Sequence, residues 1–340
     1  MATHRQVNMA DVARAAGVSI ATVSRALRDA PGVSEPTRLR IKRLAEDLAY
    51  VVSPEASRLA RGSTGRVGVV VPALNRWFYS NMLAGIEAEL RDAEMDMLVY
   101  HVEGAADRSR FFERLPARRK VDAVVIVALP LTEQEMRRLD LMGVSVVVAG
   151  GSEGHYPHVR IDDAEAARQA VEHLVRIGHR RIGMIRTADP EGSIWPVDEA
   201  RSQGYLSTLR ECGIDFDDEL MVVVPWGIDG GARAMDRLLS MRHPPSAVLA
   251  HSDEVAVGAL RSLRRAGIRV PEGMSVVSID DHPMAELTDL TTVHQPVVEQ
   301  GAAAGRLVLD LLHGVQPAEE QVVLPTHLVI RSSTATAAGS

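Results

Sequence analysis

The chain has 340 residues, of which 46% are hydrophobic and 24% are charged, an ordinary globular composition and enough length for two or three domains. Its single cysteine, Cys212, excludes a disulfide framework and a cysteine-based zinc site. No apolar run of about 18 residues could span a membrane, and the first residues lack an apolar signal segment, so we expect a cytoplasmic protein with no membrane partner.

The net charge of −7 is unevenly distributed along the chain. Residues 1–62 carry ten lysine and arginine side chains and six carboxylates, a net charge of +4, whereas the other 28 basic and 39 acidic side chains give −11. A small basic segment on a large acidic body is expected where only that segment meets the phosphates of nucleic acid. Chance clustering of arginines is the alternative.

The predicted head, residues 1–50, contains three short helices, over 9–16, 20–27 and 35–48. Asn8 and Ser19 are suitable N-caps for the first two helices, and a glycine follows the first helix as a stop. The apolar residues of the predicted head core are Val12, Ala13, Val18, Val23 and Leu27. Two short helices joined by a tight turn that contains glycine form a helix-turn-helix.

The second helix of such a motif enters the major groove of DNA by its N-terminal end. The residues that we assign to DNA contact are Ser19, Ile20, Ala21, Thr22, Ser24, Arg25, Ser34 and Thr37. Their hydroxyl groups, and the free amides at Ser19, can bind phosphate oxygens. The guanidinium of Arg25 matches O6 and N7 of guanine, although a phosphate contact or a surface charge is the alternative. Ile20 and Ala21 can make only apolar contacts, for example with thymine methyl groups.

The head resembles the DNA-binding domain of the lactose-repressor/galactose-repressor family. The resemblance rests on Asp-Val-Ala-Arg-Ala-Ala-Gly-Val-Ser at 11–19 and Thr-Val-Ser-Arg-Ala-Leu at 22–27, which match without a gap. The rest of the chain resembles the family's effector-binding core, which is related to periplasmic sugar-binding proteins. The matching stretches are 173–174, 178–183, 201–205, 252–256, 279–281, 290–293, 295–296 and 328–333. The resemblance therefore covers about residues 8–334.

The connector, residues 51–65, could form about two turns of helix between Pro54 and Gly62, with Ser53 as its cap. That length is below the ~12–15 residues that an isolated helix needs. The resemblance implies a hinge helix, which pairs across the dimer in the minor groove and wedges Leu59 between base pairs. A disordered linker is the alternative. The chain departs from the family here, because Val-Ser precedes Pro54 where relatives often have Pro-Asn soon after the tyrosine.

The body, residues 66–334, alternates apolar runs with amphipathic helical stretches. Strands are predicted over 67–71, 97–100, 123–127, 144–148, 181–185, 220–224, 247–250 and 275–279, and helices near 81–93 and 108–115. Continuous Val, Ile and Leu runs indicate strands that are buried on both faces. Two such series predict an α/β fold with two doubly wound parallel sheets, which bind ligands in the cleft between two lobes.

The resemblance implies that the chain passes between the lobes near residues 177, 293 and 323. The N-lobe is then 66–176 with 294–322, and the C-lobe is 177–293 with 323–334. Residues 335–340 are expected to form a disordered tail, and no leucine heptads follow the core. Since the tetramer-forming tail of some relatives is missing, we predict a dimer.

A candidate ligand site begins just after the first predicted strand, at Asn75, Trp77, Phe78 and Tyr79. An aromatic ring can stack on the apolar face of a sugar or base ring, although a hydrophobic patch that closes the lobes would have the same composition. The resemblance adds Trp226 as a stacking residue and the pair Arg201 and Asp280 as hydrogen-bonding groups. A structural ion pair is the alternative for these two residues.

Four further positions are weaker candidates for the effector site. Ser252 and Asp253 follow a predicted strand, but Asp253 could instead cap the next helix. Asp162 and Asp163 have the same two interpretations. Val127 is a further candidate, at a position where some family members carry a polar ligand contact, so this chain is not expected to bind an identical sugar.

Neither a metal site nor an enzyme active site is indicated. His155, His158 and the two aspartates after them fit no metal-binding spacing. Adjacent residues on a strand end, such as Asp280 and Asp281, point to opposite faces and are a poor catalytic pair. Nucleotide-binding glycine motifs and a nucleophile elbow are missing from the sequence.

We therefore expect a sequence-specific transcription regulator, favoured as a repressor, that binds a pseudo-palindromic double-stranded operator as a homodimer. A small-molecule effector, sugar-like or nucleoside-like, would shift the population between DNA-binding and released states. No cofactor is expected. The alternatives are a solute receptor for uptake and an enzyme on an α/β scaffold.

Overall fold

The computed structural model describes residues 7–48, 50, 63–115, 117–152, 154–188 and 195–337. The chain forms two compact units, Met1–Gly65 and Arg66–Ser340. The predicted hinge helix and its Leu59 lie outside the described residues. In the parts of the chain that are described, no helix is both long and apolar enough to cross a membrane.

The head contains the three predicted helices, α1 (Met9–Ala16), α2 (Ile20–Leu27) and α3 (Glu35–Asp47). The Asn8 side chain accepts hydrogen bonds from two amides of the first turn of α1, and Gly17 ends that helix in a left-handed conformation. Ser19 caps α2 by accepting from the amide of Thr22. The three helices pack around a small buried core made of Val12, Ala13, Ala16, Val23, Ala26, Ile41 and Ala45. Val18 and Leu27 are partly buried against it.

The body consists of two lobes, each built on a six-stranded sheet that is mostly parallel. The elements of the first lobe are β1 (Arg66–Val71), α4 (Trp77–Asp92), β2 (Asp96–His101), α5 (Gly104–Arg114), β3 (Ala123–Val127), α6 (Glu133–Asp140), β4 (Ser145–Ala149), β5 (His158–Ile161), α12 (Val297–Leu312) and β11 (Gln321–Leu324). Its strand order is β11-β5-β4-β3-β1-β2. All five residues of β3 are buried, as expected for a central strand covered on both faces.

The second lobe repeats this architecture. Its elements are α7 (Asp163–Arg176), β6 (Ile182–Ala188), α8 (Pro196–Glu211), β7 (Met221–Pro225), α9 (Ile228–Leu239), β8 (Ala247–Ala250), α10 (Asp253–Arg265), β9 (Ser275–Asp280), α11 (Pro283–Leu287), β10 (Thr291–His294) and β12 (His327–Val329). The strand order is β12-β10-β9-β8-β6-β7, and β12 is antiparallel to β10. The two doubly wound sheets confirm the predicted fold class.

The first crossing between the lobes occurs earlier than predicted. Helix α7 packs on the second sheet, where its buried Ala166, Ala170 and Leu174 share a core with Val277 of β9. The chain therefore changes lobe near residue 162, not 177, because the apolar face of α7 is covered by the second lobe. The later crossings lie near residues 295 and 325, close to the predicted positions.

Part of the predicted disordered tail is also ordered. The amide of Ala335 donates to the Ser275 hydroxyl at 3.1 Å, and the amide of Ala337 donates to the Ile177 carbonyl at 2.9 Å. Residues 335–337 thus run along the second lobe, because backbone donors of the tail find acceptors there. Residues 338–340 lie outside the described part.

Glycines allow helices to pack closely in the first lobe. Helices α4 and α12 approach so closely that a Cβ atom on Gly301 would lie 2.2 Å from the Met82 carbonyl oxygen. A Cβ atom on Gly85 would likewise lie 2.1 Å from the Val298 carbonyl oxygen. Only glycine fits these positions without moving a helix.

Candidate functional site

A cavity of about 410 Å³ lies in the cleft between the two lobes of the body. It is formed at the carboxyl ends of strands, where ligands bind in doubly wound sheets. All three tryptophans of the chain, Trp77, Trp195 and Trp226, line it. Its size and the aromatic rings among its lining residues are typical of a small-molecule site.

The aromatic wall is contributed by both lobes. Helix α4 begins at Trp77, four residues before the predicted start near 81, so Trp77, Phe78 and Tyr79 form its first turn and line the cavity. On the opposite side, the Trp226 indole nitrogen donates to Glu254 at 3.0 Å. These rings offer flat apolar surfaces on which a ligand ring can stack.

Two contacts between the lobes lie beside the cavity. The guanidinium carbon of Arg76, in the first lobe, lies 5.1 Å from the ring centroid of Trp226. The indole of Trp77 lies 5.1 Å from the imidazole of His282 in the second lobe. The cleft is therefore closed over its aromatic wall in this structure.

The polar floor of the cavity centres on Arg201, whose side chain is only 5% exposed. Its Nε donates to Asp163 at 2.9 Å and its Nη1 donates to the His251 carbonyl at 2.5 Å. Burial raises the pKa of Asp163, and the charge of Arg201 opposes that rise. The guanidinium thus holds a buried carboxyl at the cavity wall, where both residues line the cavity.

The second polar group of the cavity is Asp280, the last residue of β9, a strand whose residues are all buried. Its carboxylate accepts a hydrogen bond from Gln295 at 2.6 Å, and Gln300 in turn donates to Gln295 at 3.2 Å. Burial, followed by the nearby charge of Asp253, raises the pKa of Asp280 well above its ordinary value. We call Asp280, Gln295 and Gln300 the Asp280 relay, and all three side chains line the cavity. The backbone φ of Asp280 is 141°, a strained value of the kind that clusters at functional sites.

Behind the cavity wall, a buried charged network supports His251. Nδ1 of His251 lies 2.7 Å from Oδ1 of Asp198, which is close enough for an ion pair. The angle at the ring is too bent for this contact to count as a hydrogen bond. Asp198 also accepts from Arg186 Nε at 2.7 Å. Burial raises the pKa of Asp198, but its contacts with His251, Thr187 and Arg186 together lower it below the usual value. Burial and the charge of Arg201 lower the pKa of His251.

Two of the predicted effector residues, Ser252 and Asp253, lie behind the cavity wall. Asp253 is fully buried and accepts from Ser278 at 2.5 Å, Thr292 at 2.6 Å and the His282 amide at 2.7 Å. Ser252 is also fully buried and caps α10. Asp253 therefore joins β9, β10 and the start of α11, which is why it is not available to a ligand.

Among the other predicted effector residues, some line the cavity and some do not. Asn75 is exposed in the turn before α4, and Val127 is fully buried in the first lobe's core, so neither lines the cavity. Asp162 caps α7, whereas its neighbour Asp163 lines the cavity. The structure brings together Trp77, Phe78, Tyr79, Arg201, Trp226 and Asp280.

Sequence reasoning missed several cavity residues. These are Arg76, Trp195, His251, Glu254, Gln295 and Gln300. His251 directly follows β8, so its position at a strand end was a usable signal. Gln300 lies inside α12, and only the fold brings that helix to the cavity.

The residues considered for a metal site do not converge. His158 is buried and contacts the Tyr156 carbonyl, whereas His155 is exposed beside Asp140. Across the described ranges, no three His, Cys, Asp or Glu side chains are placed to hold a metal ion. Asp281 contacts Arg331 at 2.7 Å instead of sharing a site with Asp280.

The head presents the N-terminal end of α2 to solvent. Ile20 is 51% exposed, and the Arg25 side chain is exposed without a hydrogen bond or ion pair to any other described residue. The hydroxyls of Ser19 and Thr22 are 2.9 Å apart, as are those of Ser34 and Thr37. Ser24 is engaged by Arg28 on the next turn, so it is less free than the other predicted contacts.

Comparison with known proteins decides the family. Residues 8–53 match the model of bacterial regulatory proteins of the lacI family, and residues 171–334 match the periplasmic binding protein-like domain. The HTH-type transcriptional repressor CytR of Escherichia coli (strain K12) is 34% identical over 332 residues, which cover 96% of each chain. This chain belongs to the LacI family. The LacI family consists of transcriptional regulators, not enzymes.

Solved structures of relatives agree with this LacI-family assignment. The lac repressor dimer bound to operator and the anti-inducer ONPF is 27% identical, with a TM-score of 0.85 over 97% of this chain and 100% of that one. A complex of the transcriptional regulator CelR with cellobiose is 31% identical, with a TM-score of 0.72 over 96% and 99% of the two chains. The helix-turn-helix head and the two-lobed core of this LacI-family protein therefore have the family's fold.

Proposed function

We propose that this LacI-family protein is a sequence-specific repressor whose operator affinity is controlled by a small molecule bound in the interlobe cavity. The observation that carries the proposal is the cavity itself, where stacking rings surround the buried Arg201 and the Asp280 relay. A guanidinium and carboxylates can bind neighbouring hydroxyl groups by charge-assisted hydrogen bonds. A sugar-like or nucleoside-like effector fits this chemistry.

The DNA-binding part of the proposal rests on the head. Arg25 lies in the last turn of α2 and is exposed, and Ile20 and Ala21 in the first turn are exposed for apolar contacts. Paired hydroxyls at Ser19 and Thr22, and at Ser34 and Thr37, are placed for phosphate contacts from α2 and α3.

We further propose that the protein acts as a homodimer on a pseudo-palindromic operator. One head offers few base contacts, so two heads are needed for specificity. The relative solved with its operator is described as a dimer, which supports the same assembly here. Connector residues 51–65, including Leu59, are proposed as the hinge that couples the core to the heads.

A selection from random double-stranded oligonucleotides with the full-length protein tests the DNA half. The expected result is an inverted repeat whose affinity falls steeply with salt, as phosphate contacts require. A solute receptor or an enzyme would enrich no duplex. Operator affinity is then measured with and without sugars and nucleosides, and a change of about 5–150-fold is expected for the effector.

A further inference from the structure

A dense cluster of positive charge lies in the turn between α5 and β3. The side chains that form it, which we call the basic turn, are Arg114, Arg118, Arg119 and Lys120. They fall within seven residues that include no carboxylate, although the body as a whole has a net charge of −11. With the flanking Glu113 and Asp122 counted, residues 113–122 still have a net charge of +2.

Backbone contacts and buried neighbours hold the basic turn in place. The amide of Arg118 donates to the Leu115 carbonyl at 2.8 Å, and the amide of Lys120 donates to the Ala117 carbonyl at 2.9 Å. Leu115, Ala117 and Val121 are buried in a hydrophobic core of the first lobe. Because these apolar residues face inward, the charged side chains between them are exposed on a supported backbone.

The charges of the basic turn are not neutralised by the described part of the protein. None of its four side chains makes a hydrogen bond or an ion pair with another described residue. Elsewhere in the first lobe, Arg91, Arg110 and Arg137 each pair with a carboxylate on their own helix. A cluster of unpaired charges of one sign creates a local positive potential, which attracts a ligand that carries several negative charges.

The basic turn lies at the edge of the body where the connector enters it. The amide of Asp122 donates to the Arg66 carbonyl at 2.8 Å, so the end of the turn lies beside the first residue of β1. The connector, residues 51–65, has fifteen residues and spans at most about 50 Å when fully extended. A tether of this length holds the basic turn near any duplex that the head binds, at an effective concentration on the order of millimolar.

We propose that the basic turn is a second DNA-binding surface, which contacts backbone phosphates of the operator while the heads read its bases. The proposal rests on the operator binding proposed above and adds a site on the body. Duplex DNA is the polyanion that the head brings within reach of this edge. Arginine and lysine contacts with phosphates add affinity without reading sequence.

The salt dependence of operator binding by the full-length protein tests the proposal. The turn variant removes three charges by the substitutions Arg118→Gln, Arg119→Asn and Lys120→Gln. Asparagine is used at position 119 because φ there is 60°, a left-handed conformation that asparagine tolerates. The matched control removes three exposed arginines of the second lobe whose side chains have no partner in the described ranges, by Arg210→Gln, Arg242→Gln and Arg269→Gln. The turn variant and the control therefore have the same net charge.

Each phosphate contact that is lost makes the plot of log binding constant against log salt concentration shallower by about 0.9. If each subunit of a dimer loses at least one contact, the slope for the turn variant should be shallower by about 2 or more, whereas the control should have the slope of the unchanged protein. Phosphate contacts do not read sequence, so the binding constants for the selected operator and for random duplex should fall by the same factor, within about threefold.

Neutral methylphosphonate linkages, placed one at a time along the selected operator, provide a second measurement. At a phosphate that the basic turn contacts, the neutral linkage should weaken binding by the unchanged protein but not by the turn variant, because the variant has already lost that contact. Thermal melting shows whether the turn variant and the control are folded, and exposed substitutions of this kind change stability little.

Three results would overturn the proposal. The turn variant could keep the salt slope of the unchanged protein, which is also the result expected if the basic turn binds an acidic protein instead of DNA. The control could lose as much slope as the turn variant, or every neutral linkage could weaken both proteins alike. All three results leave the proposed function intact, because its DNA half fails only when the unchanged protein enriches no duplex.

Discussion

Replacing Arg201 by methionine should destabilise the body strongly, because the guanidinium compensates a buried carboxylate. Arg201 and Asp163 are 5% and 17% exposed at the side chain, and they are 2.9 Å apart. Methionine keeps much of the side-chain volume but leaves Asp163 without its ion-pair partner. Removing one member of a buried ion pair typically costs about 3–5 kcal/mol.

The structure lets this cost be refined. Asp163 retains some solvent contact and burial already raises its pKa, so part of the penalty is relieved by protonation. The His251 carbonyl also loses its 2.5 Å hydrogen bond, a loss worth about 1 kcal/mol. We therefore expect the free energy of unfolding to fall by about 3 kcal/mol at pH 7.

Urea denaturation followed by tryptophan fluorescence measures this change, since all three tryptophans lie in the body. The double variant Arg201→Met with Asp163→Asn completes a double-mutant cycle. Because the asparagine removes the uncompensated charge, the double variant should regain at least about 1 kcal/mol relative to the single variant. Arg91→Met, which breaks only an exposed pair with Glu87, should cost less than about 0.5 kcal/mol.

A cost below about 1 kcal/mol for Arg201→Met, or no recovery in the double variant, would refute the reasoning. Either result would mean that Asp163 finds adequate compensation elsewhere. Such compensation would have to come from solvent, from His251 or from Arg160, since both side chains also act on Asp163.

Three further predictions concern other parts of the molecule. Burial raises the pKa of Asp253 to about 6. Between about pH 4 and 6 this carboxyl therefore keeps a proton in the folded protein that it has lost in the unfolded protein, so the free energy of unfolding should fall as the pH rises. In urea titrations, the free energy of unfolding of the unchanged protein should fall by about 2–3 kcal/mol between pH 4 and 7 relative to that of Asp253→Asn. A difference in free energy of unfolding that stays constant over this pH range would contradict the prediction. Gly301→Ala must push α4 from α12 and should cost about 1–3 kcal/mol, seen as a lower Tm, whereas Gly151→Ala, whose new Cβ atom would make only an ordinary contact with Val148 at 3.9 Å, should be neutral. Arg25→Ala should weaken binding to the selected operator by about tenfold to a hundredfold with little effect on random duplex, and equal losses on both would show a phosphate contact only.

Local signals in the sequence predicted the head and most strands well. Asn8, Gly17 and Ser19 act within one helical turn of their own positions, so their capping roles follow from the sequence. The boundary of the first lobe was wrong because α7 carries an apolar face that either sheet could cover. The choice depends on packing against β9, which is about a hundred residues away in the chain.

Cavity residues were predicted only where a side chain suited to ligand binding follows a predicted strand. Trp226 and Asp280 meet that condition and line the cavity, but Asp253 meets it too and faces inward to Ser278 and Thr292. Strand position alone does not distinguish the two environments. Gln300 could not be found, since its helix belongs to one lobe and its hydrogen-bonding partner, Gln295, to the crossing between lobes.

The outermost strands of both sheets come from the last part of the sequence, which affects folding during synthesis of the chain. The first sheet acquires β11 only at 321–324, and the second acquires β12 at 327–329, after the rest of each sheet has been translated. Neither sheet can be completed while the last part of the polypeptide is still inside the ribosome. A nascent chain held there would expose two unfinished edges, and a chain that stopped before residue 321 would lack the outermost strand of both sheets.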